Sequence, residues 1–319
     1  NHALLSSAGG TFIADNLTLS NSAVLNGGDS LAFGPCSALV LDNSTILPTT
    51  PLTIGSAGVS AFTMASGSAS IGDLYLGADN ANGSLNFQSG NLYVWGTTAV
   101  AAGNFSTGTV FMAGGTLSNT NGEVLIGSHG TGLFTQAGGL VRAAGGHLGN
   151  AAGSKGTLDI QGGAFIASQY VTIGNQFGAQ PCVVNVWTNG MLIVTNLGHT
   201  AYVDSVNGAL TLKGGTLITD NLILTNGGSF TNSFGTLQFT GPYNVENGAL
   251  AVTGGTLQAG TNFVVGSVFG STGTVVVASG STLSVTNGVF GLGNNGSTSA
   301  GSGSGTLTVS NSSVIATTM

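Results

Sequence analysis

Gly108-Thr-Val-Phe-Met-Ala-Gly-Gly-Thr-Leu117 returns as Gly156-Thr-Leu-Asp-Ile-Gln-Gly-Gly-Ala-Phe165, as Gly208-Ala-Leu-Thr-Leu-Lys-Gly-Gly-Thr-Leu217 and as Gly248-Ala-Leu-Ala-Val-Thr-Gly-Gly-Thr-Leu257. In each segment apolar residues stand five and three positions before the second glycine of the pair and two after it. They are Val110, Met112 and Leu117; Leu158, Ile160 and Phe165; Leu210, Leu212 and Leu217; Leu250, Val252 and Leu257. A separation of two is the strand period, so each unit opens on a half-buried strand. These twelve side chains are expected to form inward structural ladders.

Working outward from the template, the closing glycine recurs at nearly equal intervals at Gly67, Gly90, Gly115, Gly139 and Gly163, and again at Gly190, Gly215, Gly255 and Gly280. Well after most of these marks comes a second apolar residue followed by glycine, as in Leu76-Gly77, Ile126-Gly127, Leu148-Gly149, Ile173-Gly174, Val265-Gly266 and Phe290-Gly291. Asn-Gly pairs such as those at Asn82, Asn121, Asn207 and Asn247 suit tight corners, because both residue types accept positive φ. Hairpins use the same pairs. A one-directional unit of near-constant length with one recurring inward row favours coils instead. The sequence therefore predicts an all-β, single-stranded parallel β-solenoid (β-helix) of about 24 residues per coil, right-handed, with equivalent residues stacked at ~4.8 Å.

Three regions depart from the template. Residues 1–57 fit it poorly and are expected to be atypical N-terminal coils or a cap, ahead of solenoid repeats over 58–319. Residues 225–247, which carry Phe230, Phe234, Phe239 and Tyr243, read as an insertion with an extra strand pair. Residues 294–305 read as a flexible Ser/Gly-rich stretch.

Composition narrows the function classes. Only 4% of the 319 residues are charged, against roughly 25% in an average soluble protein. Hydrophobic types make up 41%, so the chain has enough apolar surface to fold and is not of the disordered class. Arg142, Lys155 and Lys213 are its only basic residues, too few to neutralise a phosphate backbone, which excludes ordinary nucleic-acid binding. No run of about 18 apolar residues is present, so no transmembrane helix is expected. The chain starts at Asn1 without a basic leader and reads as processed or trimmed.

No catalytic constellation, cofactor site or metal site is expected. His2, His129, His147 and His199 fall at unrelated positions of the repeat, and Asp79-Asn80-Ala81-Asn82-Gly83 has the look of a calcium turn without the EF-hand pattern. Cys36 and Cys182 lie several coils apart and read as small buried residues. Tyr93 and Trp95 share strand parity and face one way, which makes them a glycan-contact candidate. Threonines after the double glycine are interrupted by Leu140 and Ala164, which argues against a regular lattice-binding face. The start of the chain and the run from Gly305 to Met319 are free of charge, so Leu4, Leu5, Leu307, Val309, Val314 and Ile315 are candidate subunit contacts in a head-to-tail filament.

The run Gly156-Thr-Leu-Asp-Ile-Gln-Gly-Gly-Ala-Phe165, followed by Val171-Thr-Ile-Gly174, resembles the repeat of bacterial autotransporter (type V secretion) passengers and PEP-CTERM-associated surface proteins, over about residues 58–319. The resemblance implies an exported bacterial β-solenoid, extracellular or at the cell surface. No Pro-Glu-Pro sorting tail and no translocator barrel accompany it in this sequence. The resulting expectation is a structural, non-enzymatic subunit of a fibre, sheath or matrix that self-associates end to end. The alternative is an adhesin-like passenger that binds glycans or a host surface through an outer aromatic strip.

Overall fold

Alternating apolar and small polar residues broken by glycine every few positions favour short strands, and the chain forms strands almost throughout. The computed structural model describes all residues except 1–3, 7–10, 21, 27–29, 47–50, 57, 176–180, 240, 242, 267–269, 294–302 and 319, with backbone alone at 4–6, 11–15, 26, 30–38, 317 and 318. Thirty-two strands and no helix occur among the described residues. The strands pair in parallel with strands one coil away, so the chain is a parallel β-solenoid. By contact it divides into two compact units, residues 1–166 with 177–180, and residues 167–176 with 181–319.

In the first unit each coil has three faces. The coil after Gly58 is representative: Val59–Met64 forms the first face, Gly67–Ile71 the second and Leu74–Leu76 the third. Its first-face strand lies under Asn82–Phe87, which lies under Thr107–Met112, then Thr131–Gln136, with Phe62, Leu85, Val110, Phe134 and Leu158 in one inward row. The step along this row is nearly constant from coil to coil, as the spacing of the closing glycines requires. All five side chains are buried, and each contributes about 1.5–3 kcal/mol relative to an exposed position. Residues 1–57 join the same ladder wherever they are described: Leu39 pairs with Phe62 above and Leu17 below, and Leu52–Ile54 pairs with Leu74–Leu76.

Corner glycines carry the first turn. Gly67, Gly90, Gly115, Gly139 and Gly163 all have φ between +73° and +99°. They also stack: a Cβ on Gly90, Gly115, Gly139 or Gly163 would fall 2.1–2.7 Å from the carbonyl oxygen of the glycine one coil below. That carbonyl is already in use, since Thr116 N–H donates to Gly90 and Leu140 N–H to Gly115, each at 2.9 Å. Only glycine satisfies the dihedral and the clearance together.

The second unit keeps the architecture with less regular coils. Its first-face row runs Val184, Leu210, Phe230, Leu250, Val275, Leu307, and the steps are unequal: shortest on either side of Phe230, longest from Val275 to Leu307. The expected insertion at 225–247 is corrected by this register. Ser229–Ser233, Thr236–Phe239 and Tyr243–Val245 are the three faces of an ordinary coil, paired below with Ala209–Lys213, Thr216–Thr219 and Asn221–Thr225 and above with Ala249–Val252, Thr256–Ala259 and Phe263–Val265. The coil is simply shorter than that at 59–81: its first two strands are each one residue shorter, and its third corner takes residues 246–248 where the other takes 77–81. Three expected corner marks also fail to carry a positive φ: Gly190 lies inside the strand Val183–Val194, and at the other two the positive φ belongs to Gly214 and Gly293 rather than to Gly215 and Gly291. Of the Ser/Gly-rich stretch, 294–302 lies outside the described residues, while Ser304 and Gly305 already begin a strand.

The twelve ladder residues named from the template are each at most 2% exposed. Polar groups that enter the interior brace the corners. Gln136 Nε2 donates to the carbonyls of Gly139 (3.2 Å) and Ala164 (3.0 Å), Ser205 Oγ to Gly208 (2.9 Å), and Asn232 Nδ2 to Gly235 (3.2 Å), whose N–H returns a bond to Asn232 Oδ1 (2.8 Å). In each case a side chain near the end of a strand bonds the backbone of the turn that follows, adding to coil-to-coil bonds such as Ala164 N–H to Gly139 O and Ser229 N–H to Gly208 O.

Candidate functional site

Chemistry that the ladders do not need is found on the outer surfaces of the coils. On the second face of the first unit, Tyr93 and Trp95 project outward, Trp95 57% exposed. Tyr93 sits in register between Ser70 and Ser118, with Arg142 one coil further. The Trp95 indole N–H donates to Ser70 Oγ at 3.0 Å, so the ring's polar handle is already engaged within the coil stack. Trp187, in the second unit, pairs in register with Lys213, whose ammonium lies 4.2 Å from the ring centroid.

A cleft of about 340 Å³ lies at the corner between third and first faces of the first unit, lined by residues 104–107, 129–131, 152 and 153. Its most prominent wall is Phe105, 89% exposed and held at φ +53°. A bulky side chain in the left-handed region is strained. The backbone beneath is tied from coil to coil: Asn104 N–H donates to Asp79 Oδ1 (2.7 Å), Thr131 N–H to Ser106 O (3.0 Å) and Lys155 N–H to Gly130 O (2.9 Å). The Thr107 hydroxyl is bonded to Asn82 Oδ1. His129 is exposed, with Nδ1 3.1 Å from Ser128 Oγ. The Asn104 carboxamide, His129 Nε2 and the Thr131 hydroxyl make no hydrogen bond among the described residues.

Compared with protein-family models, curated proteins and solved structures, the chain matches none of them. The site must be judged on its own chemistry.

The sequence candidates are dispersed. His129 stands on the corner cleft, whereas His147 is on the outer side of the third face, its pKa lowered by burial and partly restored by Glu123. His199 lies in the loop of the second unit beside the fully buried Asp220, Nδ1 to Oδ1 3.3 Å, while Asp220 Oδ2 accepts from Asn196 N–H at 2.9 Å. Asp79 and Asn82, the calcium-turn look-alikes, hold backbone and hydroxyl groups of the next coil. Among the described residues no group of three or more His, Cys, Asp or Glu could hold a metal. Cys182 is buried and outside any disulfide among the described residues, and the side chain of Cys36 lies outside the described residues. Likewise, no side chain is described for Leu4 or Leu5. No helix is long and apolar enough to cross a membrane among the described residues.

Inside the second unit the third face carries an aromatic stack. Tyr243 packs on Phe263 with centroids 4.4 Å apart and planes at 16°, Phe263 on Phe290 at 5.3 Å, and Phe239 closes against Tyr243 at 5.1 Å. The Tyr243 hydroxyl is buried without a partner, and burial raises its pKa well above the usual phenol value. The stack is interior, its four rings at most 7% exposed.

The sequence reading passed over Phe105. A signal was present: the corresponding corners at 77–83, 127–132 and 149–156 hold Gly, Ala, Ser, Asn, Asp, His, Thr and Lys but no aromatic residue.

Proposed function

We propose that the chain is a structural β-solenoid of the bacterial cell surface or extracellular matrix, which extends by stacking coil on coil, the last described coil of one copy receiving a coil of the next. The observation that carries this reading is the exposure of the inward ladder at residues 304–316. Val309 continues the row of Val252 and Val277, each fully buried, yet is itself 45% exposed. Leu307 and Val314 are half-buried above the fully buried Val275 and Leu283. Among the described residues no strand pairs with the outer side of Ser304–Ser310 or Ser313–Thr318.

A face of this kind accepts a parallel strand with apolar residues at alternate positions, and every coil of this chain supplies one, so a coil of a second copy fits it. No charged residue follows Glu246, and nothing on this face repels a neutral partner coil. The contact is heterologous and propagates. The scarcity of charge and the likeness of the repeat to autotransporter passengers and PEP-CTERM-associated proteins support an exported location.

Size-exclusion chromatography with light scattering tests the reading, on the parent and on the double variant Leu307→Lys, Val309→Lys. The parent's mass should climb with concentration while the variant stays at one chain with an unchanged β spectrum. A parent that remains a single chain at every concentration, or a variant that assembles like the parent, contradicts the proposal.

A further inference from the structure

We propose that the corner cleft around Phe105 binds a neutral sugar ring of a polysaccharide, with the Phe105 ring as the stacking platform and Asn104, His129 and Thr131 as the hydrogen-bonding groups. The backbone at Phe105 is held in the left-handed region at φ +53°, a conformation that costs a non-glycine residue on the order of 1–3 kcal/mol. That strain brings the ring no burial, since it is 89% exposed. A phenyl group held in water at a strained corner is a surface waiting for an apolar face, and a pyranose offers one in its axial C–H groups.

The rest of the lining supplies what the hydroxyls of such a ring require. One carboxamide, one imidazole nitrogen and one hydroxyl lack partners among the described residues, while the backbone that carries them is fixed by the coil-to-coil bonds at Asn104, Thr131 and Lys155. The site is thus organised before any ligand arrives. No carboxylate or ammonium belongs to the lining, so its contacts are those a neutral ring can use without leaving a buried charge unpaired. A volume of about 340 Å³ stands at the low end of the roughly 300–1,000 Å³ typical of ligand pockets, which suits one or two sugar units. Tyr93 and Trp95 offer no comparable enclosure, and the Trp95 indole N–H is already bonded.

The test is calorimetric titration of the purified chain with cellohexaose, chitohexaose and an oligogalacturonate, following a glycan array that ranks neutral against anionic oligomers. The parent should bind a neutral oligomer saturably and the oligogalacturonate at least tenfold more weakly. Phe105→Gly should abolish binding while raising the melting temperature, because glycine relieves the positive φ. Trp95→Ala should bind as the parent does. The proposal is overturned if no neutral oligomer binds, if the anionic oligomer binds best, if Phe105→Gly binds like the parent, or if Trp95→Ala alone removes binding. A Phe105→Gly chain that melts lower than the parent would show the ring to be structural and would also overturn it.

Discussion

Gly139 sits on Gly115 so closely that a Cβ on the upper residue would lie 2.6 Å from the lower carbonyl oxygen. Gly153 has almost the same dihedral, φ +75° against +77°, but open space where its Cβ would be. The two positions separate backbone strain from coil stacking. Gly153→Ala should cost about 1–2 kcal/mol from the left-handed conformation alone. Gly139→Ala should cost at least ~1 kcal/mol more, since the coil above must lift or the corner must change. Denaturant melts of the two variants check this, and equal losses would mean that the glycine stack is not under steric control.

The coil at 229–248 can be removed whole. Ser229 lies in register between Ala209 and Ala249, so deleting 229–248 sets Leu250 on Leu210, Leu257 on Leu217 and Phe263 on Leu222. In a stacked array each coil interacts with its neighbours only, and the shortened chain should keep a cooperative melt and its β spectrum. Deleting 229–238 alone, half a coil, should destroy the register of everything after it and prevent folding of the second unit. If the half-coil deletion melts like the whole-coil deletion, the pairing described for these strands is wrong.

Asp204 gives the fold a defined acid response. Its pKa is raised by burial and further by the nearby Glu246, and the hydrogen bond from the Thr225 hydroxyl (3.2 Å) opposes the shift only in part. Because the folded pKa exceeds the unfolded value of ~3.9, the protonated form is the one the fold prefers. The contribution to stability is complete below the unfolded pKa and is lost as pH rises through the folded one. Asp204→Asn should therefore melt higher than the parent at neutral pH, with the gap closing as pH falls toward about 4. Melting curves from acid to neutral pH decide it, and a variant that is less stable than the parent at neutral pH contradicts the assignment.

The parts of this fold that were legible in the sequence are those under the strictest local geometry. Leu158, Ile160 and Phe165 had to alternate around a corner where only glycine fits, so the template could be read from spacing alone. The coil at 225–247 was misread for the converse reason. It keeps its inward residues, Phe230, Leu237 and Tyr243, but its first corner runs Asn232-Ser-Phe-Gly235, braced by the Asn232 carboxamide rather than by a double glycine. Parity along one strand correctly grouped Tyr93 with Trp95, but the Ser70 hydroxyl that engages the indole lies one coil earlier and is found only through register. Phe105 escaped because strand periodicity says nothing about corners; it shares its positive φ and exposure with Phe234 (φ +65°, 76% exposed), and its place on the cleft shows only in the structure.

The central claim of this account is that the coil ladder continues from one copy to the next. Electron microscopy of the purified chain, concentrated at neutral pH, tests that most directly. The account predicts unbranched filaments of single-coil width, with a strong ~4.8 Å repeat along the axis in their averaged diffraction, and discrete particles for the Leu307→Lys, Val309→Lys variant under the same conditions. Discrete single-chain particles for the parent, or filaments whose ~4.8 Å repeat runs across the axis, would contradict it.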